Sequence, residues 1–172
     1  DLYATWVKKT VIEVTANSDT LPYNGEVQKV EGFKEVTGGY VVTGLTAVAE
    51  GKDFGNYDTE ITGTARVTKD GVDVTDKVIV NKINGTLTIS KREVTLTSQT
   101  DSKDYDGTPL TRPEVTITGG FVKDEVKEVK ATGSVTNVSE GEVTNTITYK
   151  TSDNFNSENY SITKNEGKLS IT

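Results

Sequence analysis

Lys9-Thr10-Val11-Ile12-Glu13-Val14-Thr15-Ala16-Asn17-Ser18-Asp19 and Lys91-Arg92-Glu93-Val94-Thr95-Leu96-Thr97-Ser98-Gln99-Thr100-Asp101 carry one pattern twice, 82 residues apart. Ile12, Val14 and Ala16 alternate with polar residues in the first stretch, and Val94, Leu96 and Ser98 repeat the alternation in the second. A period of two is that of a strand with one face buried. Without a gap the match continues to Tyr23-Asn24-Gly25 against Tyr105-Asp106-Gly107. The far ends agree at the same offset: Asn84-Gly85-Thr86-Leu87-Thr88-Ile89-Ser90 against Glu166-Gly167-Lys168-Leu169-Ser170-Ile171-Thr172. Between them Thr37-Gly38-Gly39-Tyr40 answers Thr118-Gly119-Gly120-Phe121 with a one-residue slip. Apolar positions persist and polar ones drift, as two copies of one fold should.

The composition of the whole chain agrees. Its 172 residues include 29 Thr and 22 Val, against 13 Leu and Ala together. β-Branched side chains suit a pleated surface better than a helix. The expected fold class is therefore all-β or mostly β: two tandem small β domains, β-grasp-like or sandwich-like, arranged end to end. With no His and no Cys, the chain lacks the parts of a Ser-His-Asp triad, a Cys nucleophile, the usual zinc site or a disulfide. A net charge of −7 argues against a phosphate-backbone partner, so no nucleic acid is expected. No run approaches 18 apolar residues, so no membrane insertion of this segment is expected. The opening residues Asp1–Val7 are too short and polar for a signal peptide, and the chain reads as a piece of something longer.

The repeat divides the chain into residues 1–8, the tail of a preceding module, 9–90, the first β repeat, and 91–172, the second. Each repeat is small but within the range that folds alone. Charge is shared evenly, −4 and −3, so neither repeat is a charged tail. Leu87 with Ile89, Leu169 with Ile171, and Val143-Asn145-Ile147-Tyr149 all alternate as half-buried strands. Asn24-Gly25, Asp70-Gly71, Asn84-Gly85 and Asp106-Gly107 read as turns in which glycine takes a positive φ. Val122, Val126 and Val129 have helical spacing, although Ala131–Val135 continues them like a strand.

Lys103-Asp104-Tyr105-Asp106-Gly107-Thr108-Pro109-Leu110, closed by Asn159-Tyr160-Ser161-Ile162-Thr163 and Gly167-Lys168-Leu169-Ser170-Ile171, resembles the tandem YDG/MBG-type repeats of large bacterial cell-surface proteins. Residues 9–90 fit more loosely, because Val78-Ile79-Val80 stands where the second copy has its Asn-Tyr pair. Leu2-Tyr3-Ala4-Thr5-Trp6 is similar to the closing strand of a Listeria–Bacteroides-type surface repeat. The resemblance implies stalk or spacer segments of an adhesin-like protein, extracellular and anchored to the cell wall through parts outside this chain. It brings no catalytic residues.

The motif tyrosines admit two roles. A ligand could use the aromatic face beside Asp106. The structural role needs less: Gly25 and Gly107 supply the turn, Asn24 and Asp106 cap it, and Tyr23 and Tyr105 bury their rings with each hydroxyl on a backbone group. Recurrence of the motif in two drifted copies favours the structural role, with both tyrosines buried. Ser102-x-Asp104-x-Asp106-Gly107 has the opening spacing of a calcium loop, but its twelfth position is Pro113 where a bidentate Glu is needed. Asp101, Asp104 and Asp106 are thus weak calcium candidates, and no metal or cofactor is expected. Asn84, Asn137 and Asn159 begin N-glycosylation sequons. An intramolecular isopeptide bond would need a Lys, an Asn and a carboxylate converging in a core.

These features point to a non-catalytic, monomeric spacer whose partners are neighbouring modules of the same long chain. The alternative is an adhesive module that recognises a host glycan or protein, with Trp6, Tyr40 or Phe155 as its exposed aromatics. Only Ser90-Lys91-Arg92-Glu93 separates Leu87 and Ile89 from Val94 and Leu96, too short a connection for easy side-by-side packing. A compact globule of this length should have a radius of gyration of roughly 16 Å. Small-angle X-ray scattering on two domains in line is expected to give about 22 Å or more, by doubling one axis of the compact case.

Overall fold

A computed structural model describes residues 8–172, which form strands, turns and three single-turn 3-10 helices, with no α-helix among them. The fold is all-β, made of several small sheets and no barrel. The expected tail of a preceding module, residues 1–8, lies outside the described residues except for Lys8, and Trp6 lies outside them too. The chain forms two compact units. The described part of unit 1 comprises residues 8–21 and 26–90, and unit 2 comprises Lys91–Thr172 together with Pro22–Gly25.

Unit 1 begins with β1 (Thr10–Thr15), β2 (Asp19–Pro22), β3 (Gln28–Glu31) and β4 (Tyr40–Gly51). It continues through β5 (Gly55–Asp58), β6 (Glu60–Lys69), β7 (Val72–Asp73), β8 (Val78–Ile83) and β9 (Thr86–Ser90). Its sheets run β1-β8, β2-β9-β5 and β3-β4-β6-β7. Ile12, Val67 and Val78 form a core cluster, with Val36, Tyr40, Val42, Val74 and Val80 packed against it. Leu87 and Ile89, the inward positions of β9, are fully buried.

Unit 2 has β10 (Arg92–Ser98), β11 (Asp101–Lys103), β12 (Leu110–Thr111), β13 (Val115–Thr118) and β14 (Val126–Ala131). After these come β15 (Ser134–Val135), β16 (Val143–Thr144), β17 (Ile147–Thr151), β18 (Tyr160–Asn165) and β19 (Lys168–Ile171). The sheets are β13-β10-β18, β11-β19-β16, β12-β15 and β14-β17. Leu110, Val135, Leu169 and Ile171 make a core cluster, and Val94, Leu96 and Ile147 are also buried.

In both units the first strand lies parallel to a strand near the end, at one register. In unit 1, Thr10 pairs with Val78 and Thr15 with Ile83, each partner 68 positions on. In unit 2, Arg92 pairs with Tyr160 and Thr97 with Asn165, and the same 68-residue register resumes from Asp101↔Leu169 to Lys103↔Ile171. In unit 2, where the second strand also pairs in parallel with the last, this puts the start and the finish of the unit at opposite ends of one ladder. The unit 2 ladder breaks between β10 and β11, and a glycine makes the break. A Cβ on Gly167 would lie 2.3 Å from the Gln99 carbonyl oxygen, and one on Gly85 in unit 1 would lie 2.2 Å from that of Asn17. No side chain fits there.

That finding corrects the expected Asn84-Gly85 turn. Gly25, Gly71 and Gly107 do take positive φ (83°, 79° and 79°), whereas Gly85 does not and is required instead for close backbone approach. The helical spacing of Val122, Val126 and Val129 is not a helix either: Val122 lies before the turn that leads into β14, and Val126 and Val129 lie in that strand. Glu128 takes φ 51°, and the β14–β17 register shifts between Lys127 and Lys130. This bulge inserts one residue, so two half-buried valines stand three apart instead of two.

The stretch Val143-Asn145-Ile147-Tyr149 alternates as expected, but it is split into β16 and β17 at Asn145. Asn145 is fully buried, and all of its amide is used. Its Oδ1 accepts from Gly133 N (3.0 Å), while Nδ2 donates to Gln99 O (3.2 Å) and Arg112 O (2.9 Å). Ser98 Oγ donates to Asn145 O at 2.6 Å and accepts from Gly167 N at 3.0 Å. This polar hub satisfies the backbone groups that the broken ladder leaves unpaired.

Candidate functional site

The Tyr-x-Gly motif occurs twice, and its two tyrosines have opposite environments. Tyr23 is 1% exposed, whereas Tyr105 is 59% exposed. The expectation that both are buried therefore holds for Tyr23 and is corrected for Tyr105.

Tyr23 is held inside unit 2. Its hydroxyl donates to Glu125 Oε1 at 2.5 Å, and Tyr160 donates to Glu125 Oε2 at 2.5 Å. The acceptor is thus a carboxylate and not the backbone group that the motif suggested. The two tyrosine rings meet edge to face, with centroids 5.6 Å apart. Phe155 stacks on Tyr160 (5.4 Å), and Phe121 packs against both Tyr160 (5.3 Å) and Tyr149 (5.7 Å). Gly25 sits so close to Val122 that a Cβ there would be 2.5 Å from a valine methyl, and its φ of 83° also favours glycine.

Glu125 is 3% exposed, an expensive place for a carboxylate unless it is fully hydrogen-bonded. Its position is built by the backbone. Val122–Glu125 forms a tight turn, closed by Glu125 N donating to Val122 O at 3.2 Å, with Asp124 at φ 65°. Ser152 fastens that turn: its Oγ donates to Asp124 O (2.5 Å) and its N donates to Glu125 O (2.9 Å). Tyr160 Oη also accepts from Val122 N at 3.0 Å, so one hydroxyl ties the turn to β18.

Burial, and then the hydrogen bond to Glu125, push the Tyr160 phenol well above its ordinary 10.0. A phenol whose folded value is raised stays protonated longer in the native state. Its contribution is complete below pH 10 and is lost as pH climbs through the unfolded value toward the folded one. Urea denaturation of unit 2 is therefore expected to show stability falling above about pH 10, by up to about 1.4 kcal/mol per pH unit from this group. Tyr160→Phe should remove that part of the slope.

Tyr105 follows a local frame like that of Tyr23. Thr172 Oγ1 donates to Lys103 O (3.4 Å), as Ser90 Oγ donates to Leu21 O (3.4 Å) at the equivalent place. Tyr105 N donates to Thr172 O at 2.9 Å. The turn behind it is capped as the motif predicts. Asp106 Oδ1 accepts from Thr108 N (2.9 Å), Thr108 Oγ1 (2.7 Å) and Lys103 Nζ (2.8 Å). The Lys103 ammonium above all, then Thr108, holds the Asp106 carboxyl well below the usual range.

The three aspartates considered for calcium are engaged separately. Asp101 pairs with Arg112, Asp104 accepts from Thr172 Oγ1 (2.8 Å), and Asp106 faces Lys103. Among the described residues no group of three His, Cys, Asp or Glu could hold a metal ion. Of the sequon asparagines, Asn84 and Asn137 are exposed, and Asn159 is buried, beyond reach of modification in the folded unit. The buried polar residues include Glu125, Asn145 and Asn159 but no lysine, so no isopeptide triad meets in the described core. Tyr40 and Phe155, named for the adhesive reading, are half-buried and occupied by packing.

Unit 1 carries a cleft of about 820 Å³, lined by Val14, Phe33, Tyr40, Val42 and Leu45, with Lys34 and Glu35 as its charged side chains. One carboxylate on an apolar wall does not make the carboxylate pair that glycoside hydrolysis uses.

Glu125 had no signal of its own in the sequence. It is one acid among Lys123, Asp124, Lys127 and Glu128, and nothing in their spacing marks the one that turns inward. Tyr160 had a faint signal, since the Asn159-Tyr160 pair is what the first copy lacks, with Val78 at the equivalent pairing position. No family model, curated protein or solved structure matches the chain.

Proposed function

We propose that this chain is a pair of tandem, non-catalytic structural modules, a stalk or spacer segment of a bacterial cell-surface adhesin-like protein. The observation that carries this reading is the parallel pairing of the first strand with a strand near the end of each unit, at one 68-residue register. Tension applied along the chain then pulls paired strands in opposite directions. The hydrogen bonds of the ladder lie across the pull and share it, which suits a part that must hold a binding head away from a surface. The sequence resemblance supports the same reading, as does the drift of surface residues between copies, because a spacer requires a fold and a length but no conserved site. On this reading the chain is extracellular and monomeric, is wall-anchored through other parts of a longer protein, and has neighbouring modules as its partners.

A second reading is favoured by one observation. Tyr105 is 59% exposed beside a pre-ordered aspartate, as a glycan-stacking residue would be. In it the chain is an adhesive module for a host glycan or protein. A glycan array and a panel of immobilised host-matrix proteins, probed with the 172-residue chain, separate the two. The spacer reading expects no saturable binding at micromolar concentration. Saturable binding that Tyr105→Ala abolishes would overturn it.

A further inference from the structure

We propose that the exposed Tyr105-Asp106-Gly107 loop is a docking knob for a further module of the unit 2 type, which would bury Tyr105 against a carboxylate and a tyrosine as unit 2 buries Tyr23. The two motifs are equivalent in sequence, 82 residues apart, and share the same local anchoring through Ser90 and Thr172. One is taken up by Glu125 and Tyr160 of the domain that begins at Lys91, directly after Ser90. The other stands 59% exposed, with a glycine turn that nothing crowds except its own tyrosine hydroxyl at 3.9 Å.

Chemistry defines the occupant. An exposed phenol on a turn already held by Lys103, Asp106 and Thr108 loses little freedom on docking. The partner must supply an acceptor deep enough to exclude water, an aromatic edge for the ring and a small gap for Gly107. Unit 2 supplies Glu125, Tyr160 and the space beside Val122. Unit 1 does not, since Val78 stands at the Tyr160 position. The partner is therefore a module with the socket of unit 2. The inference rests on the tandem-module part of the proposed function and not on the absence of a ligand.

The test extends the chain by repeating residues 91–172 directly after Thr172, with Tyr105→Phe in the added copy so that only the original Tyr105 is read. Tetranitromethane nitrates accessible tyrosines, and peptide mass analysis follows each one. In the 172-residue chain Tyr105 is expected to react as an exposed tyrosine while Tyr23 is protected. In the extended chain Tyr105 should react at least about tenfold more slowly, the protection expected of a buried phenol. Equal nitration of Tyr105 in the two chains overturns the proposal, and leaves the spacer reading standing. A second variant keeps the result decisive. Tyr105→Ala should lower the thermal midpoint of the extended chain and leave that of the 172-residue chain within about a degree, as expected for an exposed side chain. Equal shifts in both chains would also overturn it. Ligand binding in the glycan and matrix screen would sink the spacer reading without touching either outcome.

Discussion

Tyr23→Ala is expected to destabilise unit 2 by about 3–5 kcal/mol, read as a shift of its transition in urea. Three losses combine. The ring is 1% exposed, so its removal leaves a cavity beside Tyr160 as well as losing transfer free energy. The edge-to-face contact with Tyr160 adds about 0.5–1.5 kcal/mol beyond buried area. The Glu125 carboxylate also loses the donor to Oε1 in a place that water does not reach. Tyr23→Phe isolates this last loss, because the ring stays, and should cost about 1.5–3 kcal/mol, the scale of a hydrogen bond to a charged group. Tyr105→Ala is the internal control. Its side chain is exposed and should cost under about 0.5 kcal/mol.

The second large effect is expected at the acceptor. Glu125→Ala leaves the hydroxyls of Tyr23 and Tyr160 without the carboxylate that accepts both hydrogen bonds. Each hydrogen bond to a charged group is worth about 1.5–3 kcal/mol, so losing the two should cost about 3–6 kcal/mol in the same urea transition. Glu125→Gln should lose less, because the amide oxygen still accepts from one tyrosine and its N–H can donate to the other's oxygen. An alanine variant as stable as the parent would mean that the buried carboxylate costs as much to bury as its two bonds return.

What the sequence disclosed was whatever repeats. The offset of 82 residues, the alternation through Ile12, Val14, Val94 and Leu96, and the strand character of Leu87, Ile89, Leu169 and Ile171 all rest on backbone periodicity. Periodicity survives drift because every inward position is independently penalised when it turns polar. Features that depend on a single residue were hidden. The bulge at Glu128 mimicked helical spacing, and Gly85 looked like a turn although it marks a backbone crossing. Asn145 looked like a half-buried strand position and is the polar hub of unit 2. The candidate site was half legible. The motif pointed to Tyr23 and Tyr105 as a pair, yet burial is a property of what meets a residue in space. Glu125 lies 102 positions from Tyr23, among other acids of the same composition.

Each unit is expected to resist tension along the chain because its first strand is paired in parallel with a strand near its end. Single-molecule force spectroscopy on unit 2 within the whole chain tests it most directly, and the absence of native cysteine allows handles to be placed at will. With cysteines at Lys91 and Thr172 the pull shears the β10–β18 and β11–β19 ladder, loading its bonds together. With cysteines at Glu93 and Ser161, paired and exposed positions near one end of that ladder, the pull peels β10 from β18 one bond after another. A clearly higher unfolding force is expected for the first geometry at the same loading rate. An equal or lower force along the chain would contradict it.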